Sequence, residues 1–183
     1  MTNRKLNRLL EGIVIGLTIP TFAIGAVMTA SEYSAAKDRA AAEYKAAKAQ
    51  CAGMSGNAKD VCIAEAKAAE KKAKANAEAQ YKNTEKARQD AAIAAAHADY
   101  DVAKEKCDDK KGNDKDVCVK EAKAAETKAI ADAKATQKIA AVRQDAREDK
   151  VQADYKVAIE KCDSLSGAAK DSCVAAAKTR YHK

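Results

Sequence analysis

The stretch Cys51-AGMSGNAKDV-Cys62 sets two cysteines on either side of ten residues containing two glycines, with alanine-rich sequence before and after. It returns as Cys107-DDKKGNDKDV-Cys118 and again as Cys162-DSLSGAAKDS-Cys173. A tyrosine stands seven residues before each first cysteine, at Tyr44, Tyr100 and Tyr155, so the spacing between copies is 56 and then 55 residues. Arg88-Gln89-Asp90 also recurs as Arg143-Gln144-Asp145, which extends the repeat through the sequence between the motifs. Duplication of a helical hairpin accounts for this pattern.

Ala, Lys, Glu, Gln and Arg dominate the flanking sequence and all favour helix, while β-branched and aromatic alternation is missing. Gly56-Asn57, Gly112-Asn113 and Gly167-Ala168 interrupt it. Asn57 and Asn113 suit the N-cap of a following helix, with Asp60 and Asp116 near its positive end; in the third copy Ser166 or Gly167 must cap ahead of Asp171. The recurring Lys-Asp pair at 59/60, 115/116 and 170/171 reads as capping, not as a catalytic acid. The predicted fold is all-α: elongated antiparallel helical hairpins, long and coiled-coil-like, with three disulfide-stapled turns.

A bridge between Cys51 and Cys62 sets an antiparallel register in which facing residue numbers sum to 113, placing Ala47 opposite Ala66 and Tyr44 opposite Ala69. The same rule puts Ala103 opposite Ala122, Tyr100 opposite Ala125, and Tyr155 opposite Arg180, where ring and guanidinium would stack. Tyr44, Tyr100 and Tyr155 are therefore expected to pack in seams whose alanines let the helix axes approach closely. With no Gly or Pro in 57–111 or 113–166, the middle helices are expected to run about 50 residues each, roughly 75 Å. Folding back at Gly112 would then bring the first and third tips to one end. The alternative breaks the helices near Asn83-Thr84 and Thr136-Gln137, giving a compact six-helix bundle.

Composition points the same way. Of the residues counted as hydrophobic, 46 are alanine, and beyond Ala23 there is one leucine, Leu165, and neither Phe nor Trp. A wide core with a deep apolar pocket is not expected from such side chains. The net charge of +7 is modest, and Lys alternates closely with Asp and Glu, as on a solvated helix face. No Arg cluster or stacking aromatic points to a specific nucleic-acid partner.

The first 11 residues are basic, residues 12–19 are apolar, and Pro20-Thr21-Phe22-Ala23 resembles a signal-peptidase site. Residues 1–23 are read as a signal peptide, with an uncleaved anchor extending to about residue 30 as the alternative, the only route to a membrane. Residues 24–183 then form a repeat-built helical domain with tips at 51–62, 107–118 and 162–173. In an oxidising compartment the six cysteines Cys51, Cys62, Cys107, Cys118, Cys162 and Cys173 form a disulfide framework.

Catalytic chemistry finds little footing. The Cys-x10-Cys spacing is far from that of zinc motifs, His97 and His182 are read as helix-surface residues, and no nucleophile motif or phosphate-binding glycine loop occurs. Neither a metal nor another cofactor is expected: the acidic tip Asp108-Asp109 with Asn113 and Asp114 does not match a calcium-loop pattern and is read as a solvated turn, with weak binding of a divalent cation as the alternative.

The run Ala64-EAKAAEKKAKANAEAQ-Tyr81 resembles the Ala/Lys/Glu helix of the TolA proteins of the Tol-Pal envelope system. Residues 42–178, with their repeated Tyr-x6-Cys-x10-Cys and Gly-x-x-Lys-Asp, are similar to uncharacterised Ala/Lys-rich secreted proteins of Gram-negative bacteria, often labelled TolA-like or cell-envelope. The resemblance implies a periplasmic location and transfers no active site. The expected role is a non-catalytic structural or interaction protein of the cell envelope, acting with an envelope partner or by self-association. An inner-membrane anchored protein facing the periplasm is the alternative in location, and binding of metal cations or an anionic polymer the alternative in role.

Overall fold

The computed structural model describes residues 27–183; the signal segment 1–23, and most of the alternative anchor, lie outside the described residues. Five α-helices follow one another: α1 (Ala30–Gln50), α2 (Gly56–Lys82), α3 (Glu85–Cys107), α4 (Gly112–Cys162) and α5 (Gly167–Tyr181), with a 3-10 turn at Cys51–Gly53. Disulfides join Cys51 to Cys62, Cys107 to Cys118 and Cys162 to Cys173, closing the reversals between α1 and α2, α3 and α4, and α4 and α5. Among the described residues each helix packs only on its neighbours in the chain, α1 on α2, α2 on α3, α3 on α4 and α4 on α5. The result is an elongated row of antiparallel hairpins.

This arrangement follows from the side chains available. Every fully buried apolar residue among the described ones is an alanine or a cysteine. A methyl group fills little space, so helices approach closely in pairs but cannot enclose a central core. On α1 the face turned inward is Tyr33, Ala36, Ala40, Tyr44, Ala47 and Cys51, all buried or half-buried at helical spacing. Across from it α2 presents Ala66, Ala73 and Ala77, while its opposite face, Ala75 and Ala79, packs on Ala87 and Ala91 of α3. With its two partners on opposite sides, α2 lies in a flat row.

The expected continuous helix over 57–111 is not formed. It breaks at Asn83, whose backbone is left-handed (φ 46°, ψ 40°), and Thr84, which caps α3 by accepting a hydrogen bond from the Ala87 backbone N–H at 3.1 Å. Asn tolerates the left-handed region better than other non-glycine residues. Arg88 holds the corner, donating to Asn83 Oδ1 at 3.0 Å and to Glu85 at 2.6 Å. The companion break at Thr136-Gln137 is absent: α4 runs unbroken for 51 residues, about 75 Å. Because of the extra reversal, the first and second tips share an end, and the third lies beyond the far one. Lys106 reaches Glu65 at 2.7 Å across the two neighbouring tips.

Helix starts at the tips also differ from expectation. Asn57 and Asn113 are not N-caps: that position falls on Ser55, Lys111 and Ser166, none of which makes a side-chain capping bond. Those three residues are extended, and the glycine after each is left-handed, Gly56 at φ +56°, Gly112 at +54° and Gly167 at +56°. The reversal is made by backbone conformation that glycine adopts freely, which leaves side-chain caps without a task. Asp60, Asp116 and Asp171 sit past the first turn, where the helix dipole acts weakly. Among the described residues, side-chain caps occur at α3, through Thr84, and at α1, where Thr29 and Glu32 form a reciprocal capping box.

A Cβ added at Gly112 would meet open space, so only backbone strain opposes it. Gly112→Ala is expected to destabilise the chain by about 1–2 kcal/mol, and Gly112→Asn by less, in urea unfolding monitored by circular dichroism.

Candidate functional site

The three stapled tips are the most regular feature of the molecule. Cα atoms of each bridged pair lie 5.7–5.8 Å apart, and the first cysteine of each, Cys51, Cys107 and Cys162, is completely buried while its partner is half-exposed. No free cysteine remains. Behind the second and third tips an ion pair repeats: Lys115 to Asp108 and Lys170 to Asp163, each at 2.9 Å. In the first tip Ala52 occupies the position of those aspartates. The Lys of the second and third Lys-Asp dipeptides thus pairs across its tip, and the Asp beside it serves no cap. All four partners are substantially exposed, so these pairs add little stability and mainly orient the turn.

The tyrosines occupy the seams with partners other than those expected. Tyr44, Tyr100 and Tyr155 are half-buried, but Ala69 and Ala125, the expected opposites of the first two, are exposed. The helical step from Ala66 and Ala122 leads instead to Glu70 and Glu126. Lys123 Nζ lies 5.0 Å from the Tyr100 ring centre and Lys48 Nζ 5.9 Å from that of Tyr44. Tyr155 meets Tyr181 edge to face at 6.0 Å, and Arg180 lies over Tyr181, not Tyr155. Tyr33 and Tyr81 stack nearly parallel, centroids 4.8 Å apart, closing the open end of the first hairpin.

Among the described residues one carboxylate is buried. Glu126, 5% exposed, points from α4 into the α3 seam, where its Oε1 lies 2.6 Å from His97 Nδ1 and its Oε2 2.6 Å from Lys123 Nζ. His97 is a surface residue, as expected, but its ring reaches this buried group. The Lys123 ammonium, then the bond from His97, hold the Glu126 carboxyl below its ordinary range, outweighing the opposing effect of burial. In the first hairpin the repeat-equivalent Glu70 is half-exposed and pairs with Lys74 on its own helix at 2.6 Å.

Among the described residues no three His, Cys, Asp or Glu side chains come together in a way that would hold a metal ion. Asp108, a member of the acidic second tip, is occupied by Lys115. The concave regions are open grooves between adjacent helices, such as the one lined by Asp60, Lys67, Asp101 and Lys104. The His97–Glu126 pair escaped sequence reasoning because the two are 29 residues apart, although the register of the second tip places their helices together. Thr29-x-x-Glu32, by contrast, is a readable capping-box signature. The chain matches no protein-family model, no curated protein and no solved structure.

Two outcomes follow from these contacts. Ionised Glu126 contributes stability above its ordinary value of 4.5, and the contribution is lost as pH falls through the lowered value of the folded chain. Glu126→Gln is therefore expected to melt lower than the parent at pH 7, with the difference shrinking as pH falls well below 4.5, in thermal melts across that range. Replacing Cys107 and Cys118 together by alanine, which opens a 12-residue loop, is expected to cost about 3 kcal/mol by chemical denaturation.

Proposed function

We propose that the chain is a non-catalytic helical structural or interaction module of the cell envelope, exported to the periplasm of a Gram-negative bacterium. The observation that supports this most is the single row of hairpins. Each helix is packed only by its chain neighbours, so the fold exposes long helical faces and encloses no reaction chamber among the described residues. Three disulfides with no thiol left over fit an oxidising, extracytoplasmic compartment. Among the described residues no helix is long and apolar enough to cross a membrane. The likeness to Ala/Lys-rich secreted proteins supports the same location. Cleavage after Ala23 would keep Thr29, the cap of α1, whereas a cut at Ala30 would remove it.

Cell fractionation, N-terminal sequencing and non-reducing peptide mapping of the recovered protein test the reading together. Expected are a periplasmic chain beginning at Ile24 and bridges 51–62, 107–118 and 162–173. A cytoplasmic protein with free thiols would overturn it. Retention on heparin that is lost at moderate salt would favour binding of an anionic polymer instead.

A further inference from the structure

The segment from Gly56 to Cys107 folds as the hairpin α2–α3, while its repeat-equivalent from Gly112 to Cys162 is the single straight helix α4. Aligned from the tips, residues 65–73 (EAKAAEKKA) match 121–129 (EAKAAETKA), and Arg88-Gln89-Asp90 matches Arg143-Gln144-Asp145. The two alignments differ by one residue, lost at the corner, where Ile139 stands in place of Asn83-Thr84. A β-branched residue neither enters the left-handed region readily nor caps a helix, so α4 does not turn.

Most of the two surfaces that meet inside the α2–α3 hairpin is nevertheless present on α4, with Asp149 in place of the half-buried Ala94. Ala68, Ala75 and Ala79 of α2 correspond to Ala124, Ala131 and Ala135; Ala87, Ala91 and Ala98 of α3 correspond to Val142, Ala146 and Ala153. The α2–α3 set is buried or half-buried, whereas all six positions on α4 are exposed. Helical rotation places them, with Ile139 and Val157, on one face of α4 along its length, opposite the side on which α3 and α5 pack. Ile139, Val142 and Val157 are 52%, 66% and 54% exposed, among the most exposed large apolar side chains described.

Charge identifies the occupant. Three ion pairs tie α2 to α3: Glu65 with Lys106, Lys72 with Asp99 and Lys71 with Asp101. The third falls on Thr127 and Lys156, while the first two have intact equivalents on α4, Glu121 with Lys161 and Lys128 with Asp154. None of these four α4 residues forms an ion pair among the described residues, and they are too far apart along one straight helix to reach each other. Glu121 and Lys161 lie twenty residues either side of Ala141, and Lys128 and Asp154 thirteen either side. One two-fold axis at Ala141 therefore places Glu121 of one copy against Lys161 of the other, and Lys128 against Asp154, in a single antiparallel register. Two of the three large apolar residues of this face, Ile139 and Val142, flank that axis.

We propose that two copies of this chain associate through antiparallel α4 helices, each rebuilding on the other the contact that α2 and α3 make within one chain. This deepens the interaction-module reading and rests on it only for its biological use, since the association is a property of the helix face. The geometry is that of a hairpin opened at its corner and exchanged between partners.

Sedimentation equilibrium of the full chain tests it. The parent is expected to be a dimer in reversible exchange. Asp154→Lys, which sets a second cation against Lys128 in both symmetry-related pairs, is expected to weaken dimerisation about tenfold or more, and adding Lys128→Asp to restore it. Val142→Glu is expected to give a monomer of unchanged helicity by circular dichroism, because the side chain is exposed within each copy. A parent that stays monomeric at every concentration, or a dimer indifferent to both Asp154→Lys and Val142→Glu, would overturn the inference. Either result leaves fractionation and disulfide mapping as the independent test of the envelope reading.

Discussion

The covalent bridge at each tip is the constraint on which the other contacts depend. Alanine occurs on every side of these helices, so a hydrophobic stripe alone does not decide which face of one helix meets the next. A bond that holds two Cα atoms 5.7–5.8 Å apart at the reversal fixes both rotation and register at once. Tyrosine seams, the His97–Glu126 contact and the stack of Tyr33 on Tyr81 then fall into place at increasing distance from the bridge. Because alanine pairs bury so little apolar surface, loop closure in the unfolded chain carries a share of stability that larger side chains carry in a conventional bundle.

Fold class, hairpin tips and register were legible in the sequence, because the cysteine spacing recurs and a disulfide imposes strong geometry. The register that pairs numbers near 113 even places Tyr33 beside Tyr81, a contact not anticipated. The corner at Asn83-Thr84 was harder to read. No glycine or proline marks it, and the decision lies between continuing a favourable helix and gaining the α2–α3 interface. Only a residue that tolerates φ near +46° with a capping hydroxyl beside it tips that balance. Asn57 and Asn113 do not cap their helices for a related reason: the neighbouring glycine already makes the turn. The buried carboxylate of Glu126 was hidden because its burial depends on which alanine-spaced face turns inward, and four-residue steps from Ala122 select it over Ala125.

The two halves of the repeat show how narrow the difference is between a corner and a straight rod. A related sequence is bent in α2–α3 and unbroken in α4, where one residue is lost, an isoleucine replaces an Asn-Thr pair, and Arg147-Glu148-Asp149-Lys150 replaces Ala92-Ile93-Ala94-Ala95. From 142 to 151 every residue of α4 is exposed, beyond the reach of α3 and short of α5. Within one chain the backbone there is maintained by helix propensity and by local side-chain bonds such as that from Gln144 to Glu148, as in isolated helices.

The bridges have a mechanical meaning as well. In a row where each helix is held by its chain neighbours alone, a pull on the two ends is borne in series, and the hairpins can open in succession. The ten residues between each cysteine pair never bear the load, because the sulfur bond short-circuits them. Those thirty residues withhold about 100 Å of contour length from the stretched chain. Oxidation thus sets the maximum reach of the molecule, and reduction would lengthen it without cleaving the backbone.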